Sequence, residues 1–160
     1  MRVVIAEDSV LLREGLTRLL TDRGHEVVAG VGDAEALMKT IADLAGTGAL
    51  PDVVVADVRM PPTMTDDGLR AALEIRTRHP EIAILVVSQY IAPEYAHQLF
   101  GAGSDGVSPE GAGGLGYLLK DRISRVADFL RSLAVVAAGG VVVDPDVAAR
   151  LMHRTPSRLA

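Results

Sequence analysis

The chain contains no cysteine and no tryptophan, and only 3% of its 160 residues are aromatic. The absence of cysteine excludes disulfide bridges, thiolate metal sites and cysteine nucleophiles. Because aromatic side chains are scarce, Val, Leu, Ile and Ala must build the hydrophobic core. A hydrophobic fraction of 49% and a charged fraction of 23% are typical of a chain that folds. The length suits one domain of ordinary size.

Positive charge is also in short supply, since the formal net charge is −5. A chain with this balance offers no broad basic surface to the backbone of a nucleic acid. No segment approaches the roughly 18 apolar residues of a membrane span, and the apolar run before Glu7 is too short for a signal peptide. We therefore expect a soluble protein of the cytoplasm.

Short apolar runs alternate with segments of helical periodicity, a pattern typical of repeated βα units around a parallel sheet. The sequence predicts five strands, over residues 2–6, 26–31, 52–56, 82–87 and 115–119. These runs do not alternate apolar with polar residues, so helices should cover both faces of the sheet. The expected architecture is a doubly wound α/β fold.

Helices are predicted between the strands. The first has Ser9 as its N-cap and Gly24 at its end, and the next three span residues 34–44, 66–79 and about 93–100. In the fifth helix, one apolar stripe is predicted from Ile123, Val126, Leu130, Leu133 and Ala137.

Two further segments lie in the C-terminal third of the chain. The stretch from Gly101 to Gly116 is rich in glycine, which favours an extended loop over a continuous helix. Asp144 and Pro145 suit the N-cap and first turn of a short C-terminal helix, which we expect to be followed by a polar tail.

Chemically active side chains follow four of the predicted strands. In an open parallel sheet, ligands bind beyond the carboxyl ends of the strands. The residues in that position are Glu7, Asp8, Asp57, Ser88 and Lys120. Taken alone, the acidic pair is compatible with a solvated turn, and Lys120 is compatible with a structural ion pair.

The combination of these residues indicates a metal site. If the first and third strands are neighbours, Asp57 lies beside Glu7 and Asp8, and their mutual repulsion requires a cation or a bound proton. Carboxylates without histidine or cysteine favour a hard ion, and a site with few protein ligands suits Mg²⁺ better than Ca²⁺. A carboxylate beside Mg²⁺ can attack a phosphoryl group, which Lys120 and Ser88 would then contact.

These residues resemble, in order, the pattern of the receiver domain of two-component response regulators. The resemblance rests on Glu7-Asp8, on the run from Asp57 to Pro61, and on Ser88 and Lys120, and it covers about residues 2–140. The segments 60–69 and 116–122 are similar to the LuxR/NarL-type subgroup, especially its actinobacterial members. The resemblance implies a flavodoxin-like fold with strand order 2-1-3-4-5.

The resemblance also implies roles for individual residues. Asp57 would be the phosphoacceptor, and Mg²⁺ would be held by Glu7, Asp8, Asp57 and the backbone carbonyl of Arg59. Ser88 and Lys120 would contact the phosphoryl group. Tyr117 matches the switch aromatic of the family, whose rotamer reports activation; a half-exposed strand tyrosine is the alternative.

The family further implies partners. A histidine kinase would supply the phosphoryl group, the activated protein would form a homodimer, and DNA would be bound only through a helix-turn-helix output domain that controls transcription. We accordingly expect a receiver over residues 1–140, followed by a helix and linker over 141–160 leading to an output domain absent from this chain. The stretch 101–114 looks like an insertion on the side of the domain that normally signals.

Two alternative functions remain open from the sequence. A Mg²⁺-dependent phosphohydrolase could use Asp57 as its nucleophile, but such enzymes usually need an aspartate two positions later, where this chain has Arg59. A receiver-like interaction module that is never phosphorylated would have no need of the complete set of site residues. We expect a signalling switch whose catalysis is limited to self-phosphorylation and autodephosphorylation.

Overall fold

A computed structural model describes residues 1–101 and 112–154 of the chain. The described residues form a sheet of six parallel strands in the order β2-β1-β3-β4-β5-β6. The strands are β1 (Arg2–Ala6), β2 (Glu26–Val31), β3 (Val53–Asp57), β4 (Ala83–Ser88), β5 (Leu115–Leu119) and β6 (Val141–Val143). The helices are α1 (Val10–Asp22), α2 (Ala34–Gly46), α3 (Asp67–Arg78), α4 (Pro93–Gly101), α5 (Val126–Ala137) and α6 (Pro145–Arg154), and a 3₁₀ turn (Lys120–Ser124) precedes α5.

Two apolar layers sandwich the sheet, as the uninterrupted apolar strands predicted. On β3, Val54 faces the layer formed with α2, α3, α4 and α6. Its neighbours Val53 and Val55 face the layer formed with α1 and α5. Every residue of β3, β4 and β5 is buried, which is the expected state of strands covered on both faces.

The prediction of five strands was wrong by one, because β6 extends the sheet beyond β5. Val141 pairs with Leu115 in parallel register. Gly139 has a φ of 94° and lets the chain turn from α5 into this strand. A strand of only three residues after two glycines gives too little periodicity to be recognised in the sequence. The assignment of 141–160 as a path to an output domain stays a prediction.

The apolar stripe predicted for the fifth helix was also partly wrong. The helix buries Phe129, Leu133 and Val136, whereas Ala137 is exposed. Ile123 lies in the 3₁₀ segment before α5, in which the helical repeat is three residues. The α-helical spacing assumed for the stripe therefore does not continue from Ile123 through Arg125 into α5. Of the predicted stripe, Ile123, Leu130 and Leu133 pack on the same core layer as Phe129, whereas Ala137 does not.

The predicted helix ends are confirmed at three places. Ser9 caps α1 by accepting a hydrogen bond from the Leu12 N–H at 3.3 Å, and Gly24 adopts a φ of 85° after the helix. Asp144 caps α6 by accepting a hydrogen bond from the Asp146 N–H at 2.9 Å.

Some predicted features lie outside the described residues, namely 102–111 of the glycine-rich stretch and the tail 155–160. Within the described part of the chain, no helix has both the length and the apolar character needed to cross a bilayer.

A pair of adjacent valines tests the orientation of α5. Val136 is fully buried against the sheet, and Val135 is 37% exposed. We expect Val136→Ala to lower the free energy of unfolding by about 2 kcal/mol, and Val135→Ala to lower it by less than about 0.5 kcal/mol. Urea unfolding followed by circular dichroism measures both values. Equal effects would contradict the orientation.

Candidate functional site

The candidate site lies at the edge of the sheet where β1, β3, β4 and β5 reach their carboxyl ends. Parallel pairing brings these ends together although they are far apart in the sequence. Five of the site residues predicted from the sequence lie at this edge: Glu7 and Asp8 follow β1, Asp57 ends β3, Ser88 ends β4 and Lys120 follows β5.

Glu7, Asp8 and Asp57 form a compact cluster of carboxylates, with one side-chain oxygen from each residue within 4.8 Å of the others. Glu7 is 1% exposed and Asp57 is 4% exposed. Burial, together with the neighbouring Asp8, raises the pKa of Glu7 to about 7. Burial also raises the pKa of Asp57. Burial therefore disfavours the charged forms of these acids, which a bound cation would stabilise, and the oxygen-only donor set suits a hard cation such as Mg²⁺.

Lys120 lies across this cluster. Its Nζ donates a hydrogen bond to Oδ2 of Asp57 at 2.9 Å and forms an ion pair with Oε1 of Glu7 at 2.8 Å. Burial lowers the pKa of Lys120, but the two carboxylates outweigh this effect and raise it. The lysine is therefore cationic at neutral pH and is held beside two acids that belong to different strands.

The backbone around Glu7 is fixed by residues of α1. The Ser9 N–H donates a hydrogen bond to Oε2 of Glu7 at 2.9 Å, and the Arg13 guanidinium donates one to the Glu7 carbonyl oxygen at 2.7 Å. Arg13 is not among the residues predicted from the sequence. The sequence signal that could have indicated Arg13 is its position four residues after the N-cap, one helical turn into α1.

The loop between β3 and α3 packs closely on the backbone of Asp57. The Gly68 N–H donates a hydrogen bond to the Val58 carbonyl oxygen at 2.9 Å. A Cβ on Gly68 would lie 1.7 Å from the Asp57 carbonyl oxygen, so no larger residue fits without a backbone shift. Asp67 is buried at the start of α3, where hydrogen bonds from the hydroxyl and N–H of Thr63 lower its pKa.

Arg59 and Ser88 both contact Tyr90, in the loop after β4. The Arg59 guanidinium carbon lies 5.1 Å from the centroid of the Tyr90 ring, a cation–π contact. The Ser88 hydroxyl donates a hydrogen bond to the Tyr90 carbonyl oxygen at 2.8 Å. The loops that follow Asp57 and Ser88 are thus linked beside the site.

Tyr117, in the middle of β5, is fully buried. Its hydroxyl has no hydrogen-bond partner among the described residues. Burial raises the pKa of this hydroxyl, while the nearby Ser88 acts in the opposite direction. The ring therefore points into the domain, and the half-exposed alternative does not hold.

Comparison with known proteins identifies the family of this chain. A family model described as the response regulator receiver domain matches residues 3–107. The response regulator GacA of Pseudomonas viridiflava is 30% identical over 152 residues, which are 94% of this chain and 62% of that protein. The probable transcriptional regulatory protein NarL of Mycobacterium tuberculosis is 29% identical over 161 residues, which are 100% of this chain and 65% of that protein.

Solved structures show the same fold. A LuxR-family two-component response regulator from Aurantimonas sp. SI85-9A1 has a TM-score of 0.72 and 25% identity, and the match covers 96% of both chains. The signal receiver domain of NarL from Mycobacterium tuberculosis has a TM-score of 0.56 and 29% identity over 81% of this chain and 95% of that one. The chain spans less than two thirds of the length of the curated relatives named above, and what it shares with them is the domain that carries the acidic site. It belongs to the response regulator receiver domain family of two-component systems.

Proposed function

We propose that this domain works as a phosphorylation switch that accepts a phosphoryl group from a histidine kinase on the carboxylate of Asp57. The observation that carries the proposal is the position of Lys120, whose ammonium contacts both Asp57 and Glu7 inside a buried carboxylate cluster. A purely structural ion pair needs one carboxylate. The single positive charge of Lys120 instead contacts two carboxylates, those of Glu7 and Asp57. Such an arrangement suits a site at which further charge is bound and transferred.

The proposed transfer exchanges one bond to phosphorus for another. An Oδ of Asp57 attacks the phosphorus of a phosphohistidine, the P–N bond breaks as the P–O bond forms, and the imidazole nitrogen keeps the electron pair and takes up a proton. Lys120 stays protonated and faces the negative charge on the phosphoryl oxygens. The same attack on acetyl phosphate breaks a P–O bond and releases acetate.

The residues present fit a Mg²⁺ ion. Glu7, Asp8 and Asp57 would hold it with their side chains, and Arg59 would hold it with its backbone carbonyl. When bound, the ion neutralises charge on the phosphoryl oxygens as a Lewis acid. The pKa of Glu7, raised to about 7 by burial and by the neighbouring Asp8, supports this assignment, because a bound cation would stabilise the charged form that burial disfavours.

Ser88 and Tyr117 are the proposed switch residues. The Ser88 hydroxyl now bonds the Tyr90 carbonyl, and a phosphoryl group brings a charge of about −1.5 to −2 with three strong acceptor oxygens. Turning the hydroxyl toward these oxygens breaks the bond to Tyr90 and frees the loop after β4. The hydroxyl of the buried Tyr117 has no hydrogen-bond partner among the described residues. A change at Ser88 would therefore alter the rotamer of the Tyr117 ring.

The proposed output belongs to a longer regulator. A relative described above is named a transcriptional regulatory protein, so we propose that activation promotes a homodimer and controls transcription in the cytoplasm, with DNA bound by an output domain outside this chain. Catalysis is limited to self-phosphorylation and autodephosphorylation.

Phosphorylation of Asp57 is tested by incubation with acetyl phosphate and Mg²⁺ followed by intact-mass measurement. We expect the mass to increase by one phosphoryl group in the unmodified chain and in Asp52→Asn, and no increase in Asp57→Asn. Asp52 is the matched control because it is exposed and directly precedes the amino end of β3, whereas Asp57 lies at the carboxyl end. The absence of any adduct would overturn the switch, and rapid multiple turnover of acetyl phosphate would favour the phosphohydrolase.

Magnesium should stabilise the folded domain through Asp8. At about 100 times its Kd, a ligand that binds only the folded state adds about 2.7 kcal/mol of stability. Asp8→Asn should reduce this gain by about 1.4 kcal/mol for each tenfold loss of affinity. Because Asp8 raises the pKa of Glu7, the variant should be no less stable than the unmodified chain without Mg²⁺. Thermal unfolding with and without Mg²⁺ measures this contrast, and an unchanged gain in Asp8→Asn argues against the metal assignment.

Two glycines in helices should respond oppositely to alanine. Gly15 lies in α1 with open space around it, so Gly15→Ala should stabilise the domain by about 0.5 to 1 kcal/mol. In Gly68→Ala the new methyl group meets the backbone of Asp57, and we expect lower stability and slower phosphorylation. Urea unfolding and the acetyl phosphate assay measure both effects. Phosphorylation of Gly68→Ala at the unmodified rate would contradict the close packing of α3 on Asp57.

A further inference from the structure

A second buried carboxylate, Asp144, lies next to the site but does not belong to the cluster. It follows β6 and is 0% exposed. Its N–H donates a hydrogen bond to the Tyr117 carbonyl oxygen at 2.7 Å, so the residue continues the contact between β6 and β5. Its side chain reaches back to the segment that carries Lys120.

One oxygen of Asp144 binds residues on both sides of Lys120. Oδ2 accepts a hydrogen bond from the Leu119 N–H at 3.0 Å and another from Nε of Arg122 at 3.0 Å. The other oxygen, Oδ1, accepts the capping bond from the Asp146 N–H. A fully buried carboxylate with three donors is a well-satisfied and rigid group.

The segment that carries Lys120 has one apolar anchor, Ile123, which is partly buried against the core, and few polar ones. The 3₁₀ turn from Lys120 to Ser124 has no buried residue. Its bonds from Ser124 to Asp121 and from Arg125 to Arg122 join neighbours within the same segment and do not fix it to the sheet. The bonds to Asp144 do fix it, because Asp144 is itself buried, is bonded to β5 and is followed by α6, whose Val147 lies in the core.

The direction of a long lysine side chain depends on where its backbone is held. Displacement of a reacting or charge-stabilising group by about 1 Å can reduce a rate by about 100-fold. Lys120 must reach from the end of β5 to Asp57 at the end of β3, past β4. A small movement of the turn would therefore separate the ammonium from Asp57.

We propose that Asp144 is a positioning residue, which holds Lys120 in reach of Asp57 for phosphoryl transfer by binding Leu119 and Arg122. The inference rests on the proposed function of Asp57. It extends the apparatus of the site into β6 and α6, because the same carboxylate caps α6, which buries Val147 in the core. The C-terminal segment 141–154 thus contributes to phosphorylation in addition to any role as a connection to an output domain.

The rate constant for phosphorylation of Asp57 by acetyl phosphate at saturating Mg²⁺ provides the test. We expect Asp144→Asn to lower this rate by about tenfold. Asp146→Asn is the matched control, since Asp146 is 61% exposed and contacts Arg122 through an exposed ion pair at 3.1 Å. The control should stay within about twofold of the unmodified rate.

Two readouts separate positioning from a general loss of structure. The Kd for Mg²⁺ should not weaken in Asp144→Asn, because Lys120 is not a proposed ligand and moving its ammonium away from Glu7 and Asp57 removes competing positive charge. In a Lys120→Met background, the further change Asp144→Asn should alter the remaining rate by less than about twofold, since a residue that acts through Lys120 has nothing left to position. If Asp144→Asn fails to fold, Arg122→Gln can replace it, because it leaves the N-cap of α6 intact. The same double-mutant comparison with Lys120→Met then applies to Arg122→Gln.

The outcomes distinguish this inference from the proposed function. An unmodified chain that gains no phosphoryl group on Asp57 overturns both. Phosphorylation of the unmodified chain with equal rates for Asp144→Asn and Asp146→Asn overturns the role of Asp144 alone. Two further results would assign Asp144 to general stability and overturn its positioning role. One is an equal loss of rate from Asp144→Asn with Lys120 present and in the Lys120→Met background. The other is weaker Mg²⁺ binding by Asp144→Asn.

Discussion

The contact of the Lys120 ammonium with Glu7 and Asp57 is the interaction on which the arrangement of this domain depends. Two carboxylates as buried as these are tolerated only beside positive charge. The charge comes from the end of β5, two strands away from β3, and strands lie about 4.8 Å apart. Lysine is long enough to span that gap over β4, whose own terminal residue, Ser88, then lies beside its path.

The same contact leaves a charge imbalance. The ammonium contacts two of the three clustered acids, and burial together with Asp8 raises the pKa of Glu7 to about 7, which favours binding of a proton or a cation. A divalent ion and a phosphoryl group brought together alter the charge of the cluster by opposite amounts, so their joint binding suits this site better than either alone. The imbalance is thus part of the chemistry of the site and is not a defect of packing.

How far the sequence predicts this structure depends on how local each signal is. The first five strands and the residues at their ends could be predicted, because apolar runs identify buried strands and the topology of parallel sheets brings their carboxyl ends together. The strand β6 could not be predicted, since three valines carry no period. The apolar stripe of α5 was partly misjudged because a 3₁₀ turn interrupts the spacing before Val126. Gly68 packs against the backbone of Asp57, and Asp144 accepts a hydrogen bond from the backbone of Leu119. Contacts of this kind join separate segments, and no pattern along the chain predicts them.

Asp144 and the cluster of Glu7, Asp8 and Asp57 show two opposite ways of burying acid beside one lysine. Asp144 has a donor for each oxygen, and its partners are backbone N–H groups and an arginine. In the cluster, Glu7 and Asp57 share a single ammonium at the end of a long side chain, and Glu7 also accepts the Ser9 N–H. A satisfied carboxylate favours one geometry, whereas an unsatisfied cluster has affinity for whatever completes it. Asp144 therefore fixes the backbone on one side of Lys120 with donors that belong to the fold, whereas the acids on the other side depend on the lysine side chain itself.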